Sequence, residues 1–114
     1  MAKFTREELE GAFERYCQLR EQSSASGNWQ IWGGQFTEDA HYIEHAYGEF
    51  QGREAIVEWI VGVMAPWPHM TFPNDWVMID PERGWVVFQC QNRLEHPKDP
   101  KGKPFQFPSW SLIK

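Results

Sequence analysis

Apolar positions near the start of the chain recur at helical spacing. Leu9, Phe13, Tyr16 and Arg20 fall on one face, with Ala12 and Leu19 beside it. Thr5-Arg-Glu-Glu8 is a capping box: the Thr5 hydroxyl can accept from the Glu8 amide while the Glu8 carboxylate returns to the Thr5 amide. Phe4 and Leu9 hold the hydrophobic-staple positions around it. This predicts a helix over residues 5–22, broken by Ser23-Ser-Ala-Ser-Gly27. Asn28 then caps a shorter helix in which Trp29, Trp32 and Phe36 share a face. Gly33-Gly34 opposes that helix at about 1 kcal/mol per glycine, unless the pair lets the backbone approach a neighbour.

Residues 40–47 are β-branched and aromatic and predict a strand that turns near Gly48. A third helix is expected over residues 53–64, with Ile56, Trp59, Ile60 and Val63 on one stripe and Pro66 ending it. After Pro68 the period changes from 3.6 to 2. Residues 69–72 and 75–79 form a strand interrupted by Pro73, which marks a bulge or an edge. Asp80-Pro-Glu-Arg-Gly84 is a turn, residues 85–94 the return strand, 96–104 an exposed loop and 105–113 the last strand. There is no internal repeat. Helices interleaved with one early strand, followed by an antiparallel meander, define an α+β domain.

Composition sharpens this picture. The 114 residues are the length of a single domain, 1–114, with one hydrophobic core. Seven Trp, three Tyr and eight Phe exceed what a small core absorbs, so a ring-lined cavity or an aromatic interface is expected. The net charge of −5 lies in the first half: residues 1–60 hold eleven acids and five bases, and residues 61–114 five and six. No basic stripe is present, which argues against nucleic acid as a partner. The longest apolar run, Ile60-Val-Gly-Val-Met-Ala65, is too short to cross a membrane, and the first residues lack a signal-peptide apolar region. Cys17 and Cys90 stand in no metal or redox spacing, and a cytoplasmic location with reduced thiols is the simplest expectation.

Phe36-Thr-Glu-Asp39-Ala40-His-Tyr-Ile-Glu44 followed by Gly52-Arg-Glu-Ala-Ile56-Val-Glu-Trp59 resembles the core signature of the nuclear transport factor 2-like superfamily. That superfamily includes SnoaL-type polyketide cyclases, ketosteroid isomerase, scytalone dehydratase and limonene epoxide hydrolase. The resemblance implies a cone-shaped α+β barrel: three N-terminal helices packed on a curved, mainly antiparallel sheet, with an apolar pocket at its wide end. Relatives carry a further strand after the one expected at 105–113, so the usual last strand is expected to be missing here.

On a strand from Ala40, side chains of Ala40, Tyr42 and Glu44 share one face, and those of His41, Ile43 and His45 the other. The resemblance places Glu44 where related isomerases hold the carboxylate that moves a proton. A carboxylate desolvated among rings suits acid–base work, whereas an ion pair with Arg53 or Arg93 would make it structural. His69 can share a proton with Glu44, or pack at the strand end against backbone. Tyr16 resembles the phenol that stabilises an oxyanion in the isomerases, although it serves equally as pocket wall. Trp32, Phe36, Tyr42, Trp59, Phe88 and Trp110 are the rings expected to line the cavity, or otherwise to form core.

His41-Tyr-Ile-Glu44-His45 also matches the H-x-x-E-H zinc-peptidase pattern. That pattern needs a helix; on a strand its histidines stand about 13 Å apart, so no metal is expected. The expected function is a cofactor-independent enzyme of isomerase, cyclase, dehydratase or epoxide-hydrolase type acting on a small apolar or cyclic molecule. The alternative is a non-catalytic ligand-binding or dimerisation module. Val86, Phe88 and Cys90 alternate with Trp85 and Val87, so both sheet faces read as buried, which predicts a homodimer through the sheet face.

Overall fold

In the computed structural model, residues 4–95, 98 and 101–114 are described. Helix α1 (Arg6–Ser26) starts at the capping box, where the Thr5 N–H donates to Glu8 Oε2 and the Glu8 N–H to Thr5 Oγ1, both at 3.0 Å. It does not break at the serine run. Ser23 is fully buried and its hydroxyl accepts the Trp32 N–H at 3.0 Å, while Ser26 Oγ donates to the Gln22 carbonyl at 2.7 Å. Those bonds offset the weak helix propensity of serine and carry the helix four residues beyond the sequence expectation. Gly27, at φ 79°, ends it.

The chain divides into two units, one of Leu19–His69 and one of residues up to Gln18 together with Met70–Lys114. In the first, helix α2 (Gln30–Gly33) is a single turn. The Asn28 side chain accepts the Gln30 N–H at 3.2 Å, but the capping position is held by Trp29 without a side-chain bond, so Asn28 braces the turn one residue ahead of the expected cap. Phe36 lies beyond the end of this helix, so the expected three-ring helical face is shared between helix and turn. Helix α3 (Arg53–Met64) has the expected bounds and buries Ile56, Ile60 and Met64. The expected strand over 40–47 is shorter: β1 (His41–Glu44) pairs antiparallel with a strand the sequence did not announce, β2 (Gly48–Gln51), with Tyr42 opposite Phe50. Gly48, at φ 101°, makes the reversal.

In the other unit, β3 (Asn74–Asp80), β4 (Trp85–Leu94) and β5 (Phe105–Ile113) form a three-stranded antiparallel meander. Thr71 bridges to Arg93 ahead of Pro73, and the register shifts between Asn74 and Trp76, so the proline does mark a bulge. One sheet face supplies Val86, Phe88 and Cys90, which bury with Leu9 of α1, and Phe13, Tyr16, Ile79 and Ile113 pack around them. The architecture is α+β, with helices packed on antiparallel sheets. Its strands form separate sheets of two and three strands. Of the loop expected at 96–104, residues 96, 97, 99 and 100 lie outside the described residues.

Candidate functional site

Four of the rings expected to line a cavity are brought together in the Leu19–His69 unit. Trp32 meets Phe36 edge-on at 5.0 Å between centroids and Tyr42 at 6.0 Å; Phe36 and Tyr42 stand 5.9 Å apart. Tyr42 continues to Trp59 at 5.1 Å. The run exists because α2 and its following turn present Trp32 and Phe36, β1 presents Tyr42, and α3 presents Trp59. Sequence reasoning missed two members: Phe50 stacks on Trp59 at 4.8 Å and Tyr47 leans on it at 5.9 Å. Reading Gly48 as a hairpin reversal would have found Phe50, because it places Phe50 opposite Tyr42.

Glu44 and Tyr42 are half-buried while His41, Ile43 and His45 are exposed, which is the alternation expected of this strand. The Glu44 carboxylate forms neither ion pair weighed for it. Its Oε2 accepts the N–H groups of Ala46 and Tyr47, each at 2.8 Å, and so folds the β1–β2 turn. Arg53 instead donates to the Phe36 carbonyl at 3.3 Å and to Glu38 at 3.4 Å, and Arg93 Nε donates to Gln106 at 2.7 Å. Two amide bonds on one oxygen orient the carboxylate and leave Oε1 without a hydrogen bond among the described residues.

His69 lies in the same unit and is exposed, with Nδ1 2.7 Å from the Ser24 carbonyl oxygen. A carbonyl only accepts, so Nδ1 carries the proton and Nε2 is the basic nitrogen of the neutral ring. No hydrogen bond or ion pair joins Glu44 to His69 among the described residues. The His41-x-x-Glu44-His45 pattern lies on β1 and the turn after it, not on a helix, which removes the zinc-peptidase geometry. His41 faces Glu49 of the neighbouring strand at 3.8 Å.

The remaining expected residues belong to the other unit. Tyr16 stacks on Phe13 at 6.1 Å and meets Phe88 edge-on at 5.6 Å, and Phe88 is 1% exposed. Both act here as core. Trp110 is 72% exposed on the opposite sheet face, 5.5 Å from Trp76, and donates to Gln89 Oε1. Gln89 and Gln91 both donate to Asp75 Oδ2 at 2.7 Å, so a polar seam crosses that face at the bulge. Beside the seam Met78 is 61% and Leu112 47% exposed, so within the single chain the outer face is open. An open groove of about 480 Å³ runs between α1 and β3, lined by Arg6, Glu10, Glu14, Cys17, Asn74 and Val77.

No metal-sized cluster of His, Cys, Asp or Glu occurs among the described residues, and none of their helices is long and apolar enough to cross a membrane.

These elements in this order define a SnoaL-like α+β domain. A family model for the SnoaL-like domain matches residues 13–114, so the chain belongs to that family, within the nuclear transport factor 2-like superfamily. Among solved structures it is similar to a protein of ketosteroid isomerase-like fold from Catenulispora acidiphila, determined in complex with trimethylamine. That match has 20% identity and a TM-score of 0.65, covering 87% of this chain and 74% of the other. It is also similar to a protein from Sinorhizobium meliloti provisionally assigned as a polyketide cyclase, with 16% identity, a TM-score of 0.58, and 88% and 84% coverage. A cystatin-fold protein from Novosphingobium aromaticivorans matches with 12% identity, a TM-score of 0.55, and 84% and 83% coverage. The sequence matches none of the curated proteins with which it was compared.

Proposed function

We propose that this SnoaL-like domain binds a small apolar or cyclic molecule against the rings of Trp32, Phe36, Tyr42 and Trp59. The continuous run of ring contacts from Trp32 to Trp59 carries this reading. Ligand sites are lined by aromatic side chains with a few placed polar groups, and Glu44 stands one alternation along the strand from Tyr42. The trimethylamine complex of the Catenulispora acidiphila protein supports small-molecule occupancy of the fold.

Acid–base catalysis without a cofactor extends this reading. The turn amides hold Glu44 Oε2, so Oε1 is the oxygen available to take a proton from the ligand. His69 Nε2, in the same unit, would accept or return the second proton. A thermal-shift screen of steroids, terpenoids and polyketides tests the binding reading. One class should raise the melting temperature of the wild type and leave that of Trp59→Ala unchanged. Absence of any shift across all three classes would end it.

A second reading has its own observation. Met78, Trp110 and Leu112 leave on the order of 400 Å² of apolar side chain open on one sheet face, the size of the largest patch on an ordinary monomer and one that is often functional. Together with half-buried Trp76, Trp85 and Val87 this approaches the apolar share of the ~800 Å² that each partner of a stable pair buries. The occupant proposed for this face is a second copy of the chain, since a two-fold axis sets the same patch against itself.

A further inference from the structure

The three-stranded sheet has two outer edges, and they differ. On β4 the backbone groups of odd-numbered residues point towards the β3 side: the Gln91 N–H donates to the Pro73 carbonyl, and Arg93 exchanges both bonds with Thr71. Those of Val86, Phe88 and Cys90 then point to β5, where they face Ile113, Ser111 and Ser109. The backbones of Pro108, Trp110 and Leu112 are left on the outer edge of β5. Pro108 stands there with no N–H to offer, which blunts that edge. On β3, Trp76 bonds to Gln89, Met78 to Val87 and Asp80 to Trp85, so Val77 and Ile79 turn their backbones outward. The Arg6 guanidinium agrees with this direction, since it donates to the Ile79 carbonyl at 3.3 Å. Nothing among the described residues pairs with the outward backbone of Val77.

Helix α1 runs beside this edge and forms the opposite wall of the open groove. Arg6 bridges to Ile79 at one end, and Asn74 Nδ2 donates to Cys17 Sγ at 3.3 Å at the other. The bridges stand about 16 Å apart along either element, the length of about five extended residues. An unpaired strand edge facing a helix across such a slot can take an extended chain as a further strand. The α1 wall carries Glu10 and Glu14, both exposed, and Glu14 has no ion pair among the described residues. The base on that wall, Arg6, is already held by Glu10 and the Ile79 carbonyl.

We propose that β3 docks a short extended segment of a partner protein as an added antiparallel strand, with Lys or Arg opposite Val77 and an apolar residue on each side of it. A residue opposite Val77 shares the sheet face of Val77 and Phe88, which packs on α1. Its aliphatic stem lies along Phe13 and Val77, and its charge reaches Glu10 and Glu14. Its two neighbours point to the other face, beside Trp76 and Met78, and so are apolar. This site is separate from the ring cluster and does not depend on it.

The test titrates three acetylated and amidated pentapeptides into the isotope-labelled full chain: Ser-Val-Lys-Val-Ser, the same peptide N-methylated at its lysine, and Ser-Val-Glu-Val-Ser. The lysine peptide should move the Val77 amide resonance downfield and slow its exchange with solvent, readouts that need no variant. N-methylation removes the donor that reaches the Val77 carbonyl and should abolish binding. The glutamate peptide should bind about tenfold more weakly, because it sets like charges together. Glu14→Lys, at an exposed position, should erase that preference for lysine. Equal affinity of the lysine peptide and its N-methyl form would overturn strand addition. Equal affinity of the lysine and glutamate peptides for the wild type would overturn the basic partner. If none of the three binds at millimolar concentration, the inference falls whole. It also falls if the Val77 amide is protected without peptide and more so as protein concentration rises, because the edge then belongs to a second copy of the chain.

Discussion

Gly33 and Val57 meet so closely that a Cβ at position 33 would stand 2.9 Å from Val57 Cγ2 and 3.3 Å from Val57 Cα. The glycine that weakens α2 as a helix is what brings α2 against α3. Val57 is β-branched and has little rotamer freedom in a helix, so it cannot swing away. Gly33→Ala gains up to about 1 kcal/mol of helix propensity but incurs an overpacking cost of about 1–3 kcal/mol. The net is a loss near 1 kcal/mol, measured by denaturant unfolding. Adding Val57→Ala should remove the clash and leave only the cost of the truncated valine.

Ser23 should prove more important than an average serine. Its hydroxyl is the acceptor for the buried Trp32 N–H, at 3.0 Å. Ser23→Ala leaves that amide without a partner and should cost about 1–3 kcal/mol. The neighbouring Ser26→Ala, at an exposed site where the hydroxyl donates to the Gln22 carbonyl and accepts the Asn28 N–H, should cost less, about 0.5 kcal/mol, because water replaces both partners. Equal melting temperatures for the two variants would contradict the structure.

Three elements were readable to their bounds: α3, β4 and β5. Each combines a strict period with a hard stop, as in the Ile56–Ile60 stripe before Pro66 and the Val86–Phe88–Cys90 alternation after Gly84. The serine run misled because its helix is sustained by Trp32, a residue distant in sequence. Strand β2 escaped because Gly48-Glu-Phe-Gln51 has one ring and no β-branched residue, and pairs only through its partner. The site divides in the same way. Ring identities were legible in composition and spacing, and Gly48 marked the turn, whereas the two amide bonds of Glu44 depend on where that turn begins, which the expected strand to residue 47 set too late.

Asp80 provides the clearest pH dependence. The side-chain hydrogen bond from Arg83, at 2.6 Å, with further help from the Arg83 N–H and charge, holds its carboxyl below the ordinary 3.8. A lowered folded value means stability that is present above about pH 4 and lost as pH falls through the folded value. Arg83→Gln should therefore lower the melting temperature slightly at pH 6, and by less as the pH falls towards 2. A larger effect at pH 2 would reverse the sign of this coupling.

Glu44→Gln separates the two roles of its carboxylate. Glutamine retains one acceptor oxygen for the Ala46 and Tyr47 amides, so the turn should persist with a loss of about 1 kcal/mol. Proton transfer does not survive, and kcat on a substrate found by the ligand screen should fall by about 10²–10⁴ with ligand affinity unchanged. Unaltered turnover would assign Glu44 to the turn alone.

For the open sheet face, Trp110→Glu combined with Met78→Glu places like charges at the centre of the paired surface. Light scattering at micromolar concentration should give a dimer for the wild type and a monomer for the variant, with helix content unchanged. A wild-type monomer at that concentration would remove the pairing.

The unit that holds Leu9 and Phe88 together is discontinuous along the chain: its helical part precedes Leu19 and its strands follow His69. During synthesis the Leu19–His69 unit therefore emerges whole while Leu9, Phe13 and Tyr16 wait, their apolar faces unmatched, for β4 to appear. Closing a loop of that length is slow compared with forming α1 or α3, and it sets the pace of folding. The interval before β4 arrives is when the chain is most exposed to aggregation and to chaperones. Mutations in α1 should thus lower the yield of folded protein more than their effect on equilibrium stability accounts for.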